Sequence, residues 1–486
     1  MLKSRYLQKI VVGLCLGGML ALSFVPHDTS VANTVNNEVQ LKAVKPKYVF
    51  YMIGDGLGAA QRQIAEYYLQ EQTGNKNAKL TMNTLPIAGI NTTHSADTLV
   101  TDSAAAGTAL ASGHKTNNGM IGKLPDGSDV KSILELAETK GMGTGLVTTT
   151  RLTHATPAVF AAHNADRDDE NGIAEDYLDS GVDYLAGGGY RHFAPEKWEG
   201  GKSKRKDNKN ILAEMRDKGY KVFYNESTAK AFRDYKPSGK EKVIATLSYS
   251  HLPYEIDRVK EDKIPSLAEL TQKGIDLLSQ YDEGFFMMVE GGRIDHACHA
   301  NDAPGSIQDT LAFDEAVKKA YEFYTKHPDE TLIVVVGDHE TGGLGMGFGE
   351  NYFMKLEALQ GAKVSVEDIL QSAYKGDRAA YFKYIGENLG LVNLSKEEET
   401  AILMAMDKKD KGKEDLRSYG SYDPVAIATT HVLSERANIY WTTFAHSGTA
   451  IPMSAVGVNA EAFGGYKDNT EIAKTMAKIM GLELSK

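Results

Sequence analysis

The chain has 486 residues, 42% of them hydrophobic and 24% charged, enough apolar content to bury a large core without outside help. Its formal net charge of −11 argues against nucleic acid or an anionic membrane surface as the main partner. Of two cysteines only Cys298 lies beyond the first 32 residues, which excludes an intrachain disulfide from a processed chain.

Residues 1–32 read as a secretory signal peptide. Lys3, Arg5 and Lys9 precede an apolar run over 10–25, and Ser30-Val31-Ala32 offers a small-x-small cleavage site. The run is short for a membrane span and no other long apolar stretch follows, so no span is expected after cleavage. Removing three bases and one acid (Asp28), a net +2, takes −11 to −13. Export to a periplasm or to the medium is the expectation.

The remainder, 33–486, reads as one α/β domain with a large, mostly parallel central sheet and helices on both faces. Apolar runs at 47–53, 145–149, 285–289 and 332–336 read as buried strands, and helical stretches such as 131–140 and 309–325 lie between them. Each run ends in polar chemistry: Asp55, Arg151, Glu290 and Asp338-His339. Ligands of such sheets bind beyond the carboxyl ends of the strands, so four such ends point to one site. Two stretches read as additions. Residues 195–210 are charge-dense and predict a solvated loop. Residues of about 350–440 predict a helical insertion, with Ser365 and Ser395 as N-caps, a capping box from Ser395 to Glu398, and a helix opening at Asp423-Pro424.

The chemistry-bearing residues fall at strand ends and helix starts. Gly54-Asp55-Gly56-Leu57-Gly58 is GxGxG rather than GxGxxG, and its acid would repel a pyrophosphate, so Asp55 is better used to hold a cation. Ser103 stands between Asp102 and a helical stretch at 104–112. That places its oxygen near free N–H groups and the positive dipole end, though an N-cap serine needs no more than this position. The segment 290–299 is the densest cluster. Asp295 and His299 are spaced i, i+4, so one helical turn brings both to one face, and carboxylate with imidazole fits a hydrolytic zinc site. Cys298 faces elsewhere and reads as a buried spectator. Asp338-His339 and His446 end apolar runs, while His154, Thr156 and Arg167 complete the set; arginine is the side chain best shaped to fork onto phosphate.

Taken together, these motifs resemble the alkaline phosphatases. The resemblance rests on 100–108 around Ser103, on 113–119, 155–158, 187–189 and 290–299, on Asp338-His339 and on His446, all in the family's order. It implies hydrolysis of small phosphate monoesters through a phosphoserine on Ser103, with two Zn²⁺ and one Mg²⁺ per subunit. One zinc would be held by Asp295, His299 and His446, the second by Asp55, Asp338 and His339. The magnesium would take Asp55, Thr156 and Glu290, with His154 beside it. Arg167 would clamp the phosphate, with Asp102 and His296 at the substrate. His154 and His296 stand where many bacterial members carry Asp and Lys, a pairing similar to the animal enzymes, which implies weaker magnesium coordination and a weaker positive contact to phosphate. A sulfatase would need Pro and Arg after the nucleophile, whereas Ser103 is followed by Ala-Ala-Ala-Gly. The long insertion would gate the site or extend the interface of a homodimer, the family's usual assembly.

Overall fold

Strands form where β-branched and aromatic residues run unbroken. Tyr48–Gly54 (β1), Phe285–Gly291 (β7) and Thr331–Gly337 (β8) are buried at every position. The computed structural model describes residues 41–412 and 415–484. The signal-peptide expectation for 1–32 lies outside them. Among the described residues, no helix is long and apolar enough to cross a membrane.

The other strands are Ile87–Asn91 (β2), Gly143–Arg151 (β3), Tyr184–Gly188 (β4), Tyr220–Tyr224 (β5), Lys242–Thr246 (β6), Glu340–Thr341 (β9), His446–Ser447 (β10), Ile451–Gly457 (β11) and Gly465–Lys467 (β12). Ten of them make one sheet in the order β12-β2-β11-β8-β1-β7-β3-β4-β6-β5, and β9 pairs with β10 separately. Only β11 runs against the rest, antiparallel to both β2 and β8. The expected mostly parallel sheet is what the chain forms.

Alternation along the central strands builds two cores. Val49, Tyr51 and Ile53 pack with Met288, Val334 and the helices Ser103–Ser112 and Asn469–Met480. Phe50 and Met52 point the other way, toward Met287, Val335 and the helices Leu267–Leu278 and Ala303–Tyr324. The insertion joins this second face through Ile385, Ile402 and Ile427.

Three expectations change in detail. The insertion is helical only from Arg378 onward, in Arg378–Leu389, Lys396–Asp410, Leu416–Tyr419 and Pro424–Arg436; before that it holds only short 3₁₀ turns. Ser395 and Asp423 cap helices as expected, but Ser365 caps none: its Oγ is buried without a hydrogen-bond partner among the described residues, and its carbonyl accepts from Leu370, five residues on, rather than opening a helix. The 195–210 loop is not wholly solvated. Arg205 is 1% exposed and is pinned by Asp207, Glu175 and the carbonyls of Asn171 and His192.

Candidate metal centre

Sheet register assembles the centre. Gly54 of β1 stands opposite Gly291 of β7 and Gly337 of β8, so Asp55, Glu290 and Asp338 emerge side by side. The glycines are needed because the chain turns back tightly: a Cβ on Gly337 would lie 2.5 Å from the Leu57 carbonyl oxygen.

Among the described residues, three groups of side chains offer ligand atoms close enough for a cation. They are Asp55–Asp338–His339, Asp55–His154–Glu290 and Asp295–His299–His446. In the first, His339 Nε2 lies 3.3 Å from Asp55 Oδ1 and 3.4 Å from Asp338 Oδ2, and all three side chains are 0% exposed. In the second, His154 Nδ1 is 4.0 Å from Asp55 Oδ2, and Thr156 Oγ1 donates to that same oxygen at 3.3 Å. Thr148 and Thr150 donate to Glu290 Oε2. In the third, the helix Arg293–His299 brings Asp295 and His299 together at 3.4 Å, and His446 Nε2 lies 3.5 Å from Asp295 Oδ1.

The donor set fits cations on physical grounds. Among the described residues, Asp55 Oδ1, His154 Nδ1, Glu290 Oε1 and Asp338 Oδ2 are buried with no hydrogen-bond partner. His299 Nδ1 donates to the Phe444 carbonyl and His446 Nδ1 to that of Thr101, both at 2.7 Å. A carbonyl only accepts, so each ring turns an Nε2 lone pair inward. These two nitrogens are 3.1 Å apart and face the Asp295 carboxylate. Four acceptor atoms thus converge with no donor among them, as metal ligands held by outer hydrogen bonds do.

Electrostatics repeat the point. Burial first, then repulsion from Asp338, Asp295 and Glu290, pushes Asp55 well above the carboxylate range. Burial followed by Asp295 and Glu290 does the same to Asp338. Burial also lifts Glu290 to about 7 against the pull of Thr148 and Thr150. Burial works against the charge on Asp295 too, but protons on His299 and His446, which compete with a cation for the same Nε2 atoms, attract the carboxylate, outweigh burial and hold it well below its ordinary value. Four buried acids in one pocket demand positive charge.

Ser103 opens the helix Ser103–Ser112, with Asp102 as N-cap accepting from Ala105 N–H at 2.9 Å. Its Oγ lies 3.2 Å from His339 Nε2. The other Asp102 oxygen accepts from Arg167 Nη1 at 2.8 Å and from Gly119 N–H at 3.0 Å, and Arg167 Nη2 lies 3.3 Å from His154 Nε2. His296 faces the same side, its ring 5.3 Å from that of His154, and burial, then Arg293, lowers it to about 4. The structure thus gathers all thirteen residues singled out in the sequence. It also adds several that were missed. Thr148 and Thr150 stand in a threonine run that could have flagged them. Thr341, donating to Asp295, gave no signal, nor did His251, whose ring lies 4.3 Å from His296.

Residues 46–482 match the sequence profile of the alkaline phosphatase family. Alkaline phosphatase 3 of Bacillus subtilis (strain 168) is 34% identical over 471 residues, 95% of this chain and 94% of that one. The chain belongs to the alkaline phosphatase family. It is a metal-dependent enzyme that hydrolyses phosphate monoesters. Among solved structures, Thermus thermophilus alkaline phosphatase superimposes with a TM-score of 0.78 at 29% identity, covering 91% of this chain and 93% of that one. A variant of the TAB5 alkaline phosphatase with Mg bound in its M3 site is 28% identical, with a TM-score of 0.63, and covers 91% of this chain and 100% of that one.

Proposed function

We propose that Ser103 is the nucleophile of this alkaline phosphatase, forming and then losing a phosphoserine, and that Arg167 clamps the phosphate. The observation that carries the reading is the 3.2 Å approach of Ser103 Oγ to His339, a member of the buried Asp55–Asp338–His339 group. The proposed occupancy is Zn²⁺ at Asp295–His299–His446 and at Asp55–Asp338–His339, and Mg²⁺ at Asp55–Thr156–Glu290 with His154 beside it. Carboxylate and imidazole without thiolate suit zinc at the first two, and a carboxylate–hydroxyl set suits magnesium at the third. When bound, the metals supply Lewis-acid activation of the serine hydroxyl and charge stabilisation for the departing alkoxide.

The chain's own part is positioning. Asp102 caps the nucleophile's helix with one oxygen and fixes the Arg167 fork with the other, so nucleophile and clamp share one rigid element. N–H groups at the start of that helix would favour the negative charge of a phosphate bound at Ser103. Asp102 is paired with Arg167 and acts as a positioning group, not as a general base. His296 lines the same wall as the third contact toward phosphate.

Purified protein with Ser103→Ala tests this reading. Expected are retained zinc and magnesium with loss of turnover on a chromogenic phosphomonoester, and no gain on the matching diester or sulfate. A Ser103→Ala enzyme that still turned over at the parent rate would reject the nucleophile. Export directed by residues 1–32 and assembly as a homodimer belong to the same proposal, and the processed N-terminus and the mass in solution decide them.

A further inference from the structure

The helix Arg293–His299 carries Asp295 and His299 but has only seven residues. So short a helix has almost no stability of its own, and its orientation must come from what holds its ends. The insertion reaches both ends.

At the first end, Arg293 is 2% exposed. Its guanidinium donates to Glu367 at 3.3 Å and to Asp368 at 2.7 Å, and its central carbon sits over the Tyr254 ring, 3.5 Å from the centroid. The Tyr254 hydroxyl donates to the same Glu367 oxygen at 2.6 Å, closing the clamp. The Arg293 and Gly292 backbone N–H groups are meanwhile fixed by Thr149 Oγ1 at the end of β3. At the far end, Val366 N–H donates to Asp302 at 2.8 Å, and Thr430 Oγ1 to the Asn301 carbonyl at 3.0 Å. His431 Nε2 lies 2.9 Å from Asn301 Oδ1. Three consecutive insertion residues, Val366, Glu367 and Asp368, therefore span the helix from one end to the other.

We infer that the insertion, acting through Arg293, positions the helix that presents Asp295 and His299. Arg293 is a positioning residue and touches no ligand atom of the metal groups. The fork of arginine suits this role, because two acids and an aromatic face fix its plane. A plane fixed at the first residue of a two-turn helix fixes the direction of the side chains that follow. Positioning of this kind goes beyond gating or dimerisation as the insertion's role, and it rests on the assignment of a metal to Asp295–His299–His446.

The test follows zinc release from the loaded protein to a chromogenic chelator. His446→Ala identifies which phase of release belongs to Asp295–His299–His446, because that phase disappears. The double variant Glu367→Gln with Asp368→Asn alters only the outer end of the clamp, where the side chains are 29% and 41% exposed, and so spares the fold. It is expected to speed that one phase by about ten- to hundredfold, the usual range for losing an outer support of a metal ligand, while the other phase keeps its rate. Arg293→Lys, which keeps the charge and loses the fork, is expected to do the same. An unchanged phase, or equal acceleration of both, would overturn the inference, the latter because it signals general loosening. If His446→Ala left zinc release unaltered, the metal assignment would fall first and the inference with it.

Discussion

The two candidate zinc groups are built in opposite ways. Asp55, Asp338 and His339 sit at the ends of adjacent parallel strands, are wholly buried, and owe their spacing to the register that aligns Gly54 with Gly337. Asp295, His299 and His446 come from a seven-residue helix and a two-residue strand, and their side chains are 5%, 25% and 11% exposed. Their rings are aimed by two carbonyls, those of Phe444 and Thr101, and not by sheet geometry. A sheet-borne site is rigid because the fold is rigid, whereas a helix-borne site is as good as its outer hydrogen bonds.

Asp55→Asn is the largest way to break this comparison, since Asp55 belongs to both strand-end groups. Two of the three proposed metals should be lost while that at Asp295–His299–His446 stays, and kcat/KM should fall on the order of 10³-fold or more, the several kcal/mol that metal stabilisation supplies. Metal analysis finding all three sites emptied together would mean the groups are not separable. Chelation of the parent enzyme comes next. The more exposed group should empty first and activity should vanish in that phase. The melting temperature should drop mainly in the second phase, when the crowded acids Asp55, Asp338 and Glu290 lose their countercharge. A single phase for both readouts would refute the asymmetry.

The same contrast governs what could be read in the sequence. Asp55, Glu290 and Asp338-His339 were legible because apolar strand runs end visibly and the chemistry sits at the end. Asp295 and His299 were legible as an i, i+4 pair, but His446, visible only as the end of an apolar run, lies 147 residues from His299 and was joined to them by family resemblance. Apart from the threonine run at 148–150, the outer support was not legible. Thr341, His251, Arg293 and the acidic pair Glu367–Asp368 act only through neighbours far away in sequence, and a lone threonine or an acidic dipeptide carries no periodic signal. The antiparallel β11 was hidden for a related reason: strand direction depends on the path of a connection, not on the residues within the strand. Propensity also misled at Ser365, whose carbonyl closes a turn with Leu370 and whose Oγ caps no N–H.

A milder perturbation sharpens the outer-support argument within the strand-end side. Thr148→Val keeps the shape of the residue and removes the hydroxyl that donates to Glu290 Oε2, leaving Thr150 as the remaining donor. Magnesium affinity, read as the Mg²⁺ concentration for half-maximal stimulation, should weaken by about tenfold, at the low end for an outer-support change. Zinc content should hold. If magnesium affinity stayed at the parent value, Glu290 would be oriented by the sheet alone and the strand-end groups would be more self-sufficient than proposed.

The smallest effect is expected at His296. It shares a wall with His154, His251 and Arg167, so what a phosphate meets there is set by how many of these groups carry fixed charge. An imidazole held against its neighbours and the Gly292 carbonyl gives shape without a permanent cation, whereas lysine would bring a compact charge on a longer stem. His296→Lys should therefore lower the inhibition constant for inorganic phosphate by about fivefold, close to 1 kcal/mol, and slow product release by a similar factor. The nearby Arg293 charge opposes the new ammonium, and this keeps the gain small. Unchanged phosphate inhibition in His296→Lys would remove His296 from the substrate wall and leave Arg167 and the helix N–H groups as the chain's only phosphate contacts.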